Sequence, residues 1–139
     1  MSGNPGQTAI ALLHEARIAE KRQALYYRAL AALAEAAEDD ELSERLNGLH
    51  ADEQHHLSRL TVRLVEFGEP VADLGSEIAP RVGLEGWEPE ARGREAEEVD
   101  RYERVLREPL DEKTRLMIEE FLESERRHAE ALGGKWMGA

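Results

Sequence analysis

Read by sevens from Leu42, the chain gives Leu42, Leu46, Leu49, Glu53, His56, Leu60, Leu64 and Phe67, a leucine seam with a glutamate and a histidine set into it. A helix carrying such a stripe must bury it, so Glu53 and His56 point into the core. Residues three apart on a helix lie about 60° apart around its axis and can reach one point, for which a metal ion is the evident occupant. The pair Asp52 and His55 has the same spacing, but its stripe of Arg45, Gly48, Asp52, His55, Arg59, Val62 and Glu66 is polar and reads as the solvated face.

The remaining chain also reads as helical. Ala, Leu, Glu and Arg dominate, aromatics are 5%, and strand-forming residues are few. At 139 residues and 41% hydrophobic content, this is one domain's worth of chain with enough apolar side chains for a core. The formal charge is −12 and the basic residues are interleaved with acidic ones, which argues against nucleic acid or an anionic membrane as partner. The absence of cysteine excludes disulfides, thiolate nucleophiles, Cys-ligated zinc and iron–sulfur clusters. No cationic-then-apolar leader opens the sequence and no apolar run approaches a membrane span, so a soluble, cytoplasmic protein is expected.

Asn4-Pro5 with Gln7 reads as an N-cap, an N1 proline and a capping-box partner. The first helix, over roughly 5–38, has the inward stripe Ile10, Leu13, Ala16, Glu20, Ala24, Tyr27, Ala31 and Ala34. Asp39-Asp40 caps a second helix over 40–67, which Phe67-Gly68 ends. Glu20 lies about 18 residues before the turn near 38, and Glu53 and His56 about 15 to 18 after it, so at about 1.5 Å per residue all three share a level. Residues 68–88 carry Pro70, Pro80 and several glycines without helical period, and read as a long crossover. A third helix over 89–107 presents Ala91, Glu95, Glu98, Tyr102, Val105 and Leu106. Pro109 breaks it, and Asp111 caps a fourth over 111–132 with Ile118, Phe121, Leu122, Glu125, His128, Ala129 and Leu132 inward, before Gly133-Gly134. The tail tryptophan Trp136 reads as a frayed end or an oligomer contact. The fold expected is an all-α, ferritin-like four-helix bundle with one long crossover between helices two and three.

Glu125 and His128 repeat the Glu53–His56 spacing, and Glu95 and Glu98 match them in height across the turn at 111. Glutamate is so frequent here that Glu-x-x-His alone says little. Placement on two apolar stripes, each opposite glutamates of the preceding helix, says more. Five inward carboxylates, Glu20, Glu53, Glu95, Glu98 and Glu125, would each cost several kcal/mol if buried unpaired. Neither stripe offers an inward Lys or Arg, whereas two metal ions would bring four to six positive charges. The bland reading is buried ion pairs for the acids, core packing for Tyr27 and Tyr102, and surface positions for His14, His50 and His55.

One glutamate on helix one, Glu-x-x-His on helix two, glutamate on helix three and Glu-x-x-His on helix four resembles the ferritin-like di-iron carboxylate proteins. Within them, Glu20 with Tyr27, Glu53-x-x-His56, Glu95-x-x-Glu98 with Tyr102, and Glu125-x-x-His128 looks like rubrerythrin, across residues from about 8 to 132. The resemblance implies two iron ions (Fe2+/Fe3+), with manganese or zinc as alternatives, held by Glu20, Glu53, His56, Glu95, Glu98, Glu125 and His128. It further implies reduction of hydrogen peroxide, with Tyr27 and Tyr102 donating hydrogen bonds or quenching radicals, and a homodimer in which the helix-three and helix-four hairpin could be swapped. The four-cysteine rubredoxin domain of rubrerythrins proper has no counterpart here, so electrons would come from an external donor such as a rubredoxin-type protein. A ferroxidase or iron-storage protein, a metal-dependent oxygenase or manganese catalase relative, and a non-enzymatic metal-binding bundle are the competing functions.

Overall fold

The computed structural model describes residues 6–135, with side chains through 133. Four α-helices form: α1 (Gln7–Ala36), α2 (Asp40–Glu66), α3 (Trp87–Leu106) and α4 (Glu112–Glu130), with a π-helical turn at Ala131–Lys135. No strand occurs among the described residues, and none of the helices is long and apolar enough to cross a membrane.

Local chemistry sets the ends. Gly6 is extended (φ −73°, ψ 175°) and α1 begins at Gln7; the cap expected at Asn4 and Pro5 lies outside the described residues. Glu38 takes a left-handed conformation (φ 59°) that turns the chain, and Asp39 caps α2 by accepting from the Leu42 amide at 3.1 Å. Gly68 (φ 80°) closes α2: its amide donates to Val65 and that of Glu69 to Leu64, the paired bonds of a Schellman ending. Gly86 (φ 70°) precedes α3, which therefore opens at Trp87, two residues ahead of Pro89. Asp111 caps α4 through the Thr114 amide at 3.1 Å. Gly133 does not stop the helical path as expected. The chain widens into the π turn and keeps Leu132 buried against the end of the core.

The helices pair antiparallel. Arg17 bonds Thr61 while Arg28 bonds Asn47, which opposes α1 and α2, and Arg126 with Glu103 and His128 with Glu95 oppose α3 and α4. Between the helix pairs, Tyr102 donates to Glu20 and Tyr26 to Glu90. The core has two apolar clusters. One gathers Leu13, Leu60, Leu64, Val105, Ile118 and Phe121, the other Tyr26, Leu30, Ala34, Leu46, Trp87 and Leu132. On α1, α2 and α3 the predicted acids and histidines fall between the residues that feed the two clusters, and on α4 they fall between Phe121 and Leu122 of the first and Leu132 of the π turn in the second. Residues 67–86 contain no helix; Val71 packs on the first cluster and Val82 and Leu84 on the second, while Glu69 bonds His14 and Glu77 bonds Arg22.

Asp111 serves two helices, because its carboxylate also accepts from Arg63 of α2. Asp111→Ala should lower unfolding free energy by about 1–2 kcal/mol, measured by urea denaturation, and substitution of the exposed Glu112 should change it by less than about 0.5 kcal/mol.

Candidate metal centre

The seven predicted ligands all lie in the layer between the two clusters, and all are buried, Glu20, Glu53, Glu95 and Glu125 completely. Each helix delivers its own share: Glu20 from α1, Glu53 and His56 from α2, Glu95 and Glu98 from α3, Glu125 and His128 from α4. Six of the seven fall into two groups whose ligand atoms lie within 4.8 Å of one another: Glu20, Glu53, His56 and Glu125, and Glu53, Glu95, Glu125 and His128. Glu53 and Glu125 belong to both.

Each imidazole turns Nδ1 inward. His56 Nδ1 is 3.2 Å from Glu20 Oε2 and 3.4 Å from both Glu53 Oε1 and Glu125 Oε2. His128 Nδ1 is 3.1 Å from Glu125 Oε1 and 3.5 Å from Glu95 Oε2. Two ligands bound about 2.0–2.1 Å from one ion at a tetrahedral angle stand roughly 3.3 Å apart, so the spacing suits a shared cation. Both oxygens of Glu53, and one each of Glu20, Glu95, Glu98 and Glu125, are buried without a hydrogen bond. Unsatisfied buried carboxylate oxygens cost several kcal/mol, and metal ligation is the ordinary compensation. The set of oxygens and imidazole nitrogens suits iron, manganese or zinc.

Glu98 stands apart. It belongs to neither group, and its Oε2 accepts from Arg101 Nη1 at 2.8 Å. Arg101, one turn on, folds back over the carboxylate, so this acid of α3 has a cation of the chain's own. Tyr27 donates to Glu95 and Tyr102 to Glu20, both from fully buried rings. Gln23 adds a donor to Glu95 at 3.3 Å and is itself held by Arg94 at 2.8 Å.

Asp52 overturns its assignment to a purely solvated face. Its Oδ2 lies 2.8 Å from His128 Nε2, across the α2–α4 contact that also pairs Arg59 with Glu120 and Arg63 with Thr114. A carboxylate on Nε2 fixes the ring and leaves Nδ1 facing the cluster, the usual support for a metal-bound histidine. Of the supposed surface histidines, His55 is exposed, whereas His14 bonds Glu69 at 2.9 Å and His50 Nδ1 meets the Ala24 carbonyl at 2.9 Å.

Crowded carboxylates in a dry layer retain protons. Burial, then the charge of Glu125, push Glu20 up to about 8, and burial with Glu20 and Glu125 drives Glu53 well above the carboxylate range. Burial and Glu20 likewise raise Glu98. Burial also acts to raise Glu95, but hydrogen bonds from His128 and Tyr27 outweigh it and hold that carboxyl low. Burial disfavours the charged imidazoles, yet Glu125 and Glu20 push His56 up to about 9, and Asp52, Glu125 and Glu95 push His128 up to about 12. Protons and a metal cation thus compete for the same atoms.

Comparison with family models and with curated proteins gives no match.

Two outcomes follow from this electrostatics. The raised groups stabilise the chelator-treated protein fully below their unfolded values, 4.5 for Glu20 and 6.5 for His56, and that stability is lost as pH rises through about 8 and about 9. The melting temperature of chelator-treated protein should therefore fall from about pH 5 to 9, while the increment conferred by added metal grows over the same range. A rising metal-free curve, followed by circular dichroism, would contradict the assignment. Asp52→Ala should weaken metal binding by about 10- to 100-fold in a competition titration and leave the helical content unchanged.

Proposed function

We propose that the protein is a ferritin-like di-iron carboxylate protein of rubrerythrin type that reduces hydrogen peroxide with electrons from an external donor. The observation that carries this reading is the pair of four-residue ligand groups sharing Glu53 and Glu125, since two carboxylates common to both are what a dinuclear centre needs for bridges. The ferritin-like topology belongs to the same reading. Because α1 opposes both α2 and α3 in its contacts, residues 67–86 have to return along the bundle, and their successive contacts with His14, Arg22 and the Tyr26 cluster support such a crossover.

When bound, two ferrous ions would supply the two electrons that cleavage of a peroxide O–O bond requires. The chain's own residues do the rest. Glu20 and His56 would complete one ion's ligands and Glu95 and His128 the other's, with Glu53 and Glu125 between them. Glu98, one oxygen free of hydrogen bonds and the other held by Arg101, is the surplus carboxylate on hand when positive charge increases. Tyr27 and Tyr102 orient Glu95 and Glu20 and keep phenolic protons at the edge of the centre. The apolar clusters above and below exclude water, which strengthens every one of these interactions. A cytoplasmic homodimer served by a separate one-electron carrier completes the proposal, the chain itself having no cysteine with which to build one.

Anaerobic titration should give two ferrous ions per chain, one in His128→Ala and neither tightly held in Glu53→Ala. Stoichiometric hydrogen peroxide should oxidise the loaded protein faster than dioxygen does. Failure of peroxide to oxidise it sinks the peroxidase reading, and preferential oxidation by dioxygen with mineral accumulation would replace it with a ferroxidase.

A further inference from the structure

Tyr26 has no part in the centre described above, yet it is 1% exposed and stands edge-on to Tyr27 with ring centroids 5.3 Å apart. Its hydroxyl donates to Glu90 at 2.8 Å, and Glu90 is exposed. Tyr27, completely buried, donates to Glu95 of the centre. Two phenols in contact therefore run from the acid–imidazole layer towards solvent, each with its own carboxylate. A phenol that gives up an electron becomes strongly acidic, so a carboxylate on its hydroxyl is the partner that electron loss requires. The third tyrosine lacks a continuation. Tyr102 donates to Glu20, but its ring neighbour is Phe121 at 5.8 Å, which has no proton to give. Arg94, whose guanidinium lies 4.1 Å over the Tyr26 ring, fixes that ring and favours loss of its proton together with the electron.

We propose that Tyr27 and Tyr26 form a two-step exit that carries an oxidising equivalent from the buried centre to the surface at Glu90. The proposal rests on the redox reading of the centre and assigns it a route to solvent. Cleavage of hydrogen peroxide to two waters takes two electrons and two protons, and both protons come from solvent, since those of the two tyrosines are returned to them. When only one ferrous electron is on hand, the second comes from Tyr27, whose proton passes to Glu95. Tyr26 then reduces the Tyr27 phenoxyl, giving its own proton to Glu90 while Glu95 returns the first proton to Tyr27. The oxidising equivalent ends on Tyr26, where a one-electron reductant at the surface discharges it and Glu90 restores the hydroxyl proton.

The test loads one ferrous ion per chain anaerobically, adds one equivalent of hydrogen peroxide, and follows the phenoxyl signal by freeze-quench electron paramagnetic resonance with ascorbate as reductant. The parent should show a radical on Tyr26 that ascorbate discharges rapidly. In Tyr26→Phe the spectrum should change to that of a second tyrosine, and discharge should slow by roughly 100-fold, the scale of one positioned proton acceptor. Glu90→Gln, at an exposed position that does not endanger folding, should slow it comparably. The same spectrum and the same discharge rate in Tyr26→Phe would overturn the route. Flash oxidation of metal-free protein by photogenerated ruthenium(III) tris-bipyridine separates this outcome from failure of the peroxidase reading. There a long-lived radical lost in Tyr26→Phe supports the pair whatever peroxide does at the centre, and an unchanged radical yield overturns it.

Discussion

Five glutamates held in one dry layer are the constraint on which the rest of this structure turns. Like charges at such separations repel by several kcal/mol even at an effective dielectric constant of about 20. The helices nevertheless bring them together, since each acid sits in the middle of an apolar stripe whose two ends belong to the two clusters. Leu13 and Tyr27 bury on either side of Glu20, and Leu46 and Leu60 on either side of Glu53. Burying the large apolar side chains of both clusters, at roughly 1.5–3 kcal/mol apiece, is enough to drag the acids inward. What the layer then needs is positive charge, and protons on Glu20 and on the two imidazoles supply it until something better binds.

The parts of this arrangement that follow from single-helix periodicity were legible in the sequence. The interruptions of four apolar stripes identified Glu20, Glu53, His56, Glu95, Glu98, Glu125 and His128 as inward, and their heights relative to the turns near 38 and 111 put them at one level. Asp39, Gly68 and Asp111 announced their ends through side chains and backbone freedom that act within a few residues. Asp52 was not legible, because periodicity assigns a residue to a face of its own helix and cannot tell how far the next helix leans over that face. The α2–α4 register brings His128 to Asp52 although half of the aspartate side chain stays in solvent. Arg101 escaped for a related reason. A long side chain attached beside the seam can swing its guanidinium over a carboxylate one turn back, which periodicity alone does not place.

Glu53 and Glu125 face each other across α2 and α4 and belong to both ligand groups, while the residues unique to each group come from different helices: Glu20 of α1 and His56 of α2 on one side, Glu95 of α3 and His128 of α4 on the other. Each group is thus completed by one helix hairpin and closed by a carboxylate of the other. Neither hairpin could assemble a group alone, so formation of the layer is tied to docking of the two halves.

The hydrogen bonds around the layer separate the acids into two kinds. Glu20 and Glu95 are supported by the neutral hydroxyls of Tyr102 and Tyr27 and the amide of Gln23, together with the imidazoles of His56 and His128, which can give up their protons. Glu98 is held by a full cation, Arg101. A neutral donor orients a carboxylate and leaves its charge to be met by something else, whereas a guanidinium meets the charge itself. An incoming cation can therefore engage Glu20 and Glu95 with only the imidazole protons to displace, whereas at Glu98 it meets one free oxygen, Oε1, on a carboxylate whose charge Arg101 already offsets through Oε2. The six residues of the two groups are matched to a cation from outside the chain, and the seventh is matched to a cation the chain already carries.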